Sequence, residues 1–253
     1  MLDLFKLRKN HGYQAVPDLR NAELMESHRG FPAIDPSKLS GDLSLYKEVC
    51  PADAINLNPF KIDLGRCTFC GECERAFPEG AIKFTNKFKL GSTERKNLYV
   101  GAGQTYEAYY KEAVKSQKEI HRLFGRSLKL RQVSAAGCNG CELELNASTN
   151  VNFDIGRFGI DFVASPRHAD GIVITGPVSK NMAPALMDAY KSVSDPKIVI
   201  AVGACAISGG IFAASDELNR SFFDEIKVDL YIPGCPPHPL TFINAVLDYL
   251  GRK

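Results

Sequence analysis

The second half of the chain, residues 128–253, alternates between short apolar runs and stretches with helical periodicity. Five runs rich in β-branched residues predict strands: "LKLRQV", "IDFVAS", "GIVITG", "KIVIAVG" and "VDLYIPG". "SKNMAPALMDAYKSV" and "PLTFINAVLDYLG" instead repeat their apolar positions every three to four residues, which predicts amphipathic helices. This alternation predicts an α/β domain with a mostly parallel sheet flanked by helices. Ligands of such domains bind beyond the carboxyl ends of the strands.

The first half divides into three parts. Residues 1–33 are polar and show little periodicity, so we predict an irregular N-terminal extension. Residues 34–90 contain a weak duplication, "IDPSKLSGDLSLYKEVCPADAINL" and "IDLGRCTFCGECERAFPEGAIKF". Residues 91–127 begin as a linker rich in Gly and polar residues, and "TYEAYYKEAVKSQKEIHRLFG" then predicts one helix ending at Gly125. We expect that helix to pack domains or subunits together.

Composition excludes several classes of function. The chain is 45% hydrophobic and 24% charged, as in soluble globular proteins, and its net charge of +2 with no basic stripe argues against nucleic acid as a partner. No apolar run approaches the roughly 20 residues of a membrane helix. The start, "MLDLFKLRKNHGYQ", lacks the apolar core of a signal peptide and a twin-arginine motif, so we expect no export. This N-terminal segment could form a short amphipathic contact surface, and the alternative is a frayed or partner-bound terminus.

The cysteines carry the chemistry. Disulfides are rare in chains that are not exported, so metal ligation is the better explanation of so many cysteines. They fall into an N-terminal and a C-terminal group of four: Cys50, Cys67, Cys70, Cys73, Cys138, Cys141, Cys205 and Cys235.

The N-terminal group fits half of a two-cluster ferredoxin. A bacterial ferredoxin run reads C-x2-C-x2-C-x3-C-P, and its fourth cysteine ligates the cluster of the other run. "CTFCGEC" supplies three ligands, Cys67, Cys70 and Cys73, with Gly71 allowing close backbone approach. The fourth ligand would then come from the first repeat, where "KLSGDLSLYKEVCP" keeps only Cys50.

The missing cysteines are complementary. A two-cluster ferredoxin has another set of four cysteines, and in this chain those positions all hold other residues: Ser40, Leu43, Tyr46 and Phe77. Random decay would not remove one complete ligand set and spare the other. We therefore predict a ferredoxin-like domain at 34–90 with a single [4Fe–4S] cluster on Cys50, Cys67, Cys70 and Cys73. The alternative is a structural zinc site, although zinc sites favour paired C-x2-C knuckles.

The C-terminal group is spread over three segments. "AAGCNGCELELNAS" contains Cys138 and Cys141, "GACAISGG" contains Cys205, and "IPGCPPHP" contains Cys235 in a loop stiffened by prolines. Each segment follows a predicted strand. Because these segments are far apart in sequence, spacing alone leaves the kind of metal site open.

"GCNGCELE", "SPRHAD", "GACAISGG" and "PGCPPHP", in that order, resemble the small electron-transfer subunit of membrane-bound, energy-converting [NiFe] hydrogenases of the formate hydrogenlyase type. The homologous cluster-bearing subunit of respiratory complex I is a more distant relative. The resemblance covers residues 128–253. It implies a flavodoxin-like domain with a second [4Fe–4S] cluster on Cys138, Cys141, Cys205 and Cys235. Complex I subunits usually have two adjacent cysteines where this chain has C-N-G-C, a departure that favours the hydrogenase branch.

The resemblance also implies function and partners. It implies an electron-transfer subunit of an oxidoreductase complex, with two [4Fe–4S] clusters as cofactors and catalysis on a [NiFe] hydrogenase-type large subunit. Further partners would be ferredoxin-like or membrane subunits, and the chain would be peripheral on the cytoplasmic side of the membrane. The alternatives are a complex I-like quinone or ferredoxin oxidoreductase without nickel, and a zinc-stabilised binding protein without a redox role.

Three polar residues near these motifs are candidates for cluster tuning or proton movement: Glu142, Arg167 and His168. The acidic Glu142 follows Cys141 and would lie near the partner's active site, or it could serve only as a first-turn carboxylate of a helix. In the family, "SPRHAD" lies near the cluster and the large subunit. A cation there raises the potential of a cluster, whereas a salt bridge at the interface is the alternative for Arg167 and His168. For His238 we predict a structural place at the start of a helix.

Overall fold

The computed structural model describes residues 2–12, 16–39, 41–77, 80–116 and 118–252. The first half contains short elements, in the order α1 (Leu2–His11), β1 (Pro32–Ile34), α2 (Ser44–Glu48), β2 (Ile55–Leu57), β3 (Phe60–Asp63), α3 (Glu72–Ala76), β4 (Ile82–Phe84), β5 (Tyr99–Gly101), α4 (Tyr106–Ala113) and α5 (Lys118–Phe124). Within the described residues, no helix is long and apolar enough to cross a membrane.

The duplication predicted in residues 34–90 is visible in the structure. Each repeat forms a strand, a helix and a strand, as β1–α2–β2 and then β3–α3–β4. The outer strands β1 and β4 pair antiparallel, and the inner strands β2 and β3 pair antiparallel. Strands of the two repeats thus pair with each other and not within one repeat.

The predicted linker contributes more than a connection. Residues Tyr99–Gly101 form β5, which pairs antiparallel with β3 and completes a three-stranded sheet. The linker prediction missed this strand because a three-residue strand leaves no periodic pattern. Ser92 also exchanges two main-chain hydrogen bonds of 2.8 Å with Tyr231, which joins the linker to the second half.

The prediction of a single helix over residues 105–125 is wrong, because the structure has two helices there, α4 and α5. Val114 is extended, with φ −117° and ψ 120°, and ends α4. The carbonyl of Ala113 accepts hydrogen bonds from the Thr93 amide and from the Ser92 hydroxyl, at 3.0 and 2.8 Å. A tertiary contact therefore holds the helix end.

The second half confirms the predicted α/β fold. Its elements are β6 (Leu128–Ser134), α6 (Gly140–Ala147), β7 (Ile160–Phe162), β8 (Gly171–Thr175), α7 (Met182–Ser192), β9 (Ile198–Val202), α8 (Gly203–Ser208), α9 (Phe222–Glu225), β10 (Leu230–Ile232) and α10 (Pro239–Tyr249). The strands pair in parallel in the order β10-β9-β8-β6-β7, which is the flavodoxin-like order. Every residue of β8 and β9 is buried, as in a sheet covered on both faces.

The N-terminal extension packs against the last helix. Leu19 is buried, and its carbonyl accepts a hydrogen bond of 2.9 Å from the Asn244 side chain of α10. Arg20 forms a salt bridge of 2.6 Å with Asp248 on the same helix. The extension is irregular here, as predicted, but α1 before it is helical and exposes its apolar side chains Leu2, Leu4, Phe5 and Leu7.

Candidate metal centres

The structure brings Cys50 to the "CTFCGEC" loop. Cys50 follows α2 in the first repeat, and it lines one small pocket together with Cys67, Cys70 and Cys73 of the second repeat. The rest of that pocket is mainly apolar, with Ala54, Ile55, Ile62 and Phe84 among its lining residues. All eight cysteines of the chain lie in its described part, and each is free of a disulfide. The cross-repeat grouping that the ferredoxin pattern predicts is therefore present.

The loop around this first group points main-chain amides at sulfur. Phe69 and Gly71 adopt positive φ, at 52° and 79°, which turns the chain tightly between the cysteines. The Phe69 amide donates to Cys67 Sγ and the Ala54 amide donates to Cys50 Sγ, both at 3.3 Å. Such bonds stabilise thiolates and raise the potential of a cluster held by them.

Buried thiols in this pocket need a cation to ionise. Burial, with a contribution from the neighbouring Cys50 and Cys70 charges, raises the pKa of Cys73 to about 12. Burial also raises the pKa of Cys67. Four thiolates this close together repel one another, so binding iron or zinc would release their protons and neutralise the group. The donor set and its apolar surroundings fit an iron–sulfur cluster.

Two aromatic side chains and a leucine fill positions where a two-cluster ferredoxin has its other cluster ligands. Tyr46 stacks on Phe77, with ring centroids 3.6 Å apart and planes 17° apart, and it makes an edge contact with Phe60. Tyr46 is 1% exposed, and Leu43 packs against the same core. Ser40, the remaining position, lies outside the described residues. At the three described positions, packed hydrophobic side chains stand where cluster ligands would be.

The second group lies at the carboxyl edge of the parallel sheet. Cys138 and Cys141 follow β6, Cys205 lies in α8 directly after β9, and Cys235 follows β10. Burial raises the pKa of Cys205 to about 11, and negative charges on Cys235 and Cys138 contribute to this shift. Burial likewise raises the pKa of Cys141, next to Glu142 and the other three cysteines. The four side chains thus form one electrostatic group.

Glycines make room around these sulfurs. Gly203 has φ +87°, and a Cβ there would lie 2.6 Å from Cys141 Sγ. A Cβ on Gly210, also at positive φ, would lie 3.1 Å from Cys205 Sγ. Side chains at these two positions would press on the cysteines, so glycine in "GACAISGG" allows the backbone to approach the sulfurs closely.

The two cysteine groups meet. Cys70 of the first group and Cys235 of the second line the same cavity of about 250 Å³, together with Phe69 and Pro236. The Cys70 charge contributes to a raised pKa of Cys235, after burial and the Cys138 charge. A Cβ on Gly65, two residues before Cys67, would lie 2.7 Å from Ile207 on α8, so the two domains are also tightly packed beside the groups.

Of the polar residues predicted from the sequence, Glu142 reaches the second group. Its Oε1 accepts hydrogen bonds of 2.6 Å from Ser134 and Thr175, at the carboxyl ends of β6 and β8. Its charge acts on Cys141 and Cys205. Arg167 and His168 are exposed, and no contact with the cysteines is found for them among the described residues. Asp170, two residues after His168, bonds the Lys129 amide near the amino end of β6.

Arg220 is a polar neighbour of the second group that the sequence patterns did not reveal. Its guanidinium donates to the main-chain carbonyl of Cys205 at 3.1 Å. Arg220 lies 15 residues after that cysteine in an irregular segment, with no motif to mark it. Only the folded chain brings the two together.

His238 caps α10, as predicted. Its Nδ1 accepts a hydrogen bond of 3.1 Å from the Leu240 amide, and its ring contacts those of His28 and Phe153. Burial, with a smaller effect of His28, lowers the pKa of His238 to about 4. Protonating Nδ1 would remove the acceptor and the cap.

We therefore expect His238 to contribute a pH-dependent part of the stability. Its folded pKa lies below the unfolded value, so the contribution is present above pH 6.5 and is lost as the pH falls from 6.5 towards 4. Asparagine caps helices and does not titrate in this range. His238→Asn should reduce the loss of unfolding free energy between pH 7.5 and pH 5 by about 1 kcal/mol, allowing for partial exposure. Urea unfolding at both pH values measures this difference, and equal losses in the two proteins would contradict it.

The strand order and the four cysteines beyond the carboxyl ends of the strands define an α/β domain of the flavodoxin-like class. The model of the NADH ubiquinone oxidoreductase 20 kDa subunit family matches residues 138–249, which include the whole second cysteine group and none of the first. The chain belongs to this family, as the sequence motifs predicted, and is a subunit of an oxidoreductase complex.

Individual relatives agree. A probable membrane-bound hydrogenase subunit of Pyrococcus furiosus is 38% identical over 134 residues, covering 53% of this chain and 80% of the relative. Subunit 7 of the Escherichia coli formate hydrogenlyase is 42% identical over 141 residues, 55% of each chain. An NADH-quinone oxidoreductase subunit from Geotalea daltonii is 40% identical over 45% of this chain and 68% of the relative.

Among solved structures, a chain of an archaeal membrane-bound sulfane sulfur reductase is similar, with 33% identity and a TM-score of 0.43. That likeness covers 53% of this chain and 71% of the other.

Within the described residues, no three or more His, Cys, Asp or Glu side chains are placed as ligands of a single metal ion.

Proposed function

We propose that this chain is the electron-transfer subunit of a membrane-associated [NiFe] hydrogenase complex. Cys50, Cys67, Cys70 and Cys73 would hold one [4Fe–4S] cluster, and Cys138, Cys141, Cys205 and Cys235 would hold another. When bound, such clusters supply carriers for single electrons. The observation that supports this most strongly is that the two cysteine groups meet across one cavity, through Cys70 and Cys235.

The chain's own residues would keep the relay short and protected. The backbone of Gly65 packs closely against Ile207 beside the cysteines, and the main-chain hydrogen bonds between Ser92 and Tyr231 join the two domains. Apolar residues enclose the first group, where Cys67 and Cys73 are buried, so solvent has little access to it. On the second group, Cys141 and Cys205 are half-buried and Cys138 and Cys235 are exposed. The more exposed second group would therefore exchange electrons with the large subunit, and the first group would connect it to a further electron-transfer partner through the half-buried Cys50 and Cys70.

A docking surface for the large subunit lies next to the second group. Large apolar side chains are exposed after the segments that contain its cysteines: Leu143, Val151, Ile211 and Phe212. Large exposed apolar side chains favour protein–protein contacts where they cluster, and we propose that these form part of that surface. Glu142, hydrogen-bonded to Ser134 and Thr175, would lie at this face and could hold a proton near the partner's centre.

The relatives named for membrane-bound hydrogenase and formate hydrogenlyase support a large subunit of the [NiFe] type. The C-N-G-C spacing of Cys138 and Cys141 supports the same branch. We propose that the complex holds the chain as a peripheral subunit on the cytoplasmic side of the membrane, beside further ferredoxin-like or membrane subunits. The second candidate is a complex I-like oxidoreductase without nickel, which the NADH-quinone oxidoreductase relatives favour.

Purification of the native complex under anaerobic conditions distinguishes these functions. We expect nickel to copurify with the chain and the preparation to evolve H2 from a reduced low-potential dye. A complex that contains this chain with iron, but lacks nickel and H2 evolution and reduces a quinone, would support the second candidate and overturn the hydrogenase.

A further inference from the structure

Arg220 is held in one position beside the second cysteine group. Its Nη1 donates to the carbonyls of Pro177 and Cys205, each at 3.1 Å, and its Nη2 donates to the carbonyl of Ala206 at 2.8 Å. The guanidinium also lies over the Phe223 ring, 4.6 Å from its centroid. Three hydrogen bonds and a ring contact fix the charge near α8, the helix that contains Cys205.

This charge is not neutralised by its hydrogen-bond partners. All three acceptors are main-chain carbonyls, which carry no net charge. Asp224 is a carboxylate whose charge reaches Arg220, but its side chain is exposed and so screened by solvent, while Arg95 acts in the opposite sense. Burial lowers the pKa of Arg220, and the Cys205 charge opposes that shift. An arginine remains protonated under these conditions, so a positive charge persists close to the thiolate.

A fixed cation beside a cluster favours the reduced form, since reduction adds one negative charge. Solvent screens the interaction strongly when the cation is exposed and less when the cation is buried. Arg220 is half-buried and bonded to a residue that is itself a ligand candidate, whereas Arg167 is exposed and without such a contact among the described residues. Glu142, which acts on Cys141 and Cys205, has the opposite charge.

We propose that Arg220 raises the reduction potential of the cluster held by Cys138, Cys141, Cys205 and Cys235. The positive charge acts through space on the cluster, and the hydrogen bonds to Cys205, Ala206 and Pro177 keep it in place. Arg220 is thus a positioning and tuning residue, and not a ligand. This inference rests on the proposed function, because it requires a cluster in the second cysteine group.

An EPR-monitored redox titration of the purified complex tests this role. Arg220→Gln should lower the midpoint potential of the second cluster by about 59 mV or more, a tenfold change in its one-electron equilibrium. The first cluster should keep its potential. Arg220→Lys retains the charge and should restore most of the shift. The matched control, Arg167→Gln, removes an exposed arginine and should leave both potentials unchanged.

Several outcomes would overturn the proposal. An unchanged second-cluster potential in Arg220→Gln, with its iron retained, would show that the charge has no effect. If Arg220→Gln loses the cluster, Arg220→Lys decides, because lysine keeps the charge but cannot reproduce the three hydrogen bonds. Loss of the cluster in both variants would assign Arg220 a structural role only. Absence of a second cluster in the wild-type complex would instead refute the proposed function.

Discussion

A Cys50→Ser variant should contain about four iron atoms per chain where the wild type contains about eight. Cys50 is the only candidate ligand of the first group that lies in the first repeat, and its Sγ accepts the Ala54 amide in the shared pocket. Without it, the three cysteines of "CTFCGEC" are one ligand short. The EPR signal of the first cluster should be lost or strongly altered, and the signal of the second cluster should remain.

The reciprocal variant is the control for this experiment. Cys235→Ser removes one ligand candidate of the second group and should perturb the other EPR signal while leaving the first. An unchanged spectrum in Cys50→Ser would disprove the assignment of Cys50 to the first cluster.

An Arg95→Met variant should lower the free energy of unfolding by about 3 kcal/mol, the lower end of the range for breaking a buried ion pair. Asp63 is 1% exposed, and its two carboxylate oxygens accept from Arg95 at 2.8 and 2.6 Å. Asp63 also holds the loop before Cys67 through the Gly65 amide, at 2.9 Å. Methionine would leave this carboxylate without its charged partner. Since Arg95 lies in the predicted linker, the loss should loosen the contact between the domains.

Lys96 is the matched control for Arg95. It is the next residue, is largely exposed, and pairs with Glu94 at the surface. Lys96→Met should change the unfolding free energy by less than about 0.5 kcal/mol. Chemical unfolding of the anaerobic proteins measures both variants, and equal effects would contradict a special role of the Asp63–Arg95 pair.

The sequence predicted those features that depend on local patterns. The alternation of apolar runs in 128–253 predicted the parallel sheet, because buried strands and amphipathic helices have distinct periods. The complementary loss of cysteines predicted that Cys50 would join the other repeat, and the structure places it there. The α/β class and the grouping of Cys50 with the second repeat could therefore be predicted from local patterns, whereas the second cysteine group was expected from the family resemblance.

Features that depend on distant contacts could not be derived this way. The strand β5 is three residues long, and it forms because β3 offers it a free edge. The break after Ala113 reflects hydrogen bonds from Ser92 and Thr93. Arg220 reaches Cys205 only through the fold, so no sequence motif marks it. The approach of Cys70 to Cys235 likewise depends on how two domains pack.

The most direct test of the two-cluster relay is metal, sulfide and EPR analysis of the anaerobically purified wild-type chain. We expect about eight iron and about eight inorganic sulfide per chain, the content of two [4Fe–4S] clusters. The EPR signals of the two reduced clusters should also broaden each other, because Cys70 and Cys235 line one cavity. About two zinc per chain with no brown absorbance, or two signals without mutual broadening, would contradict it.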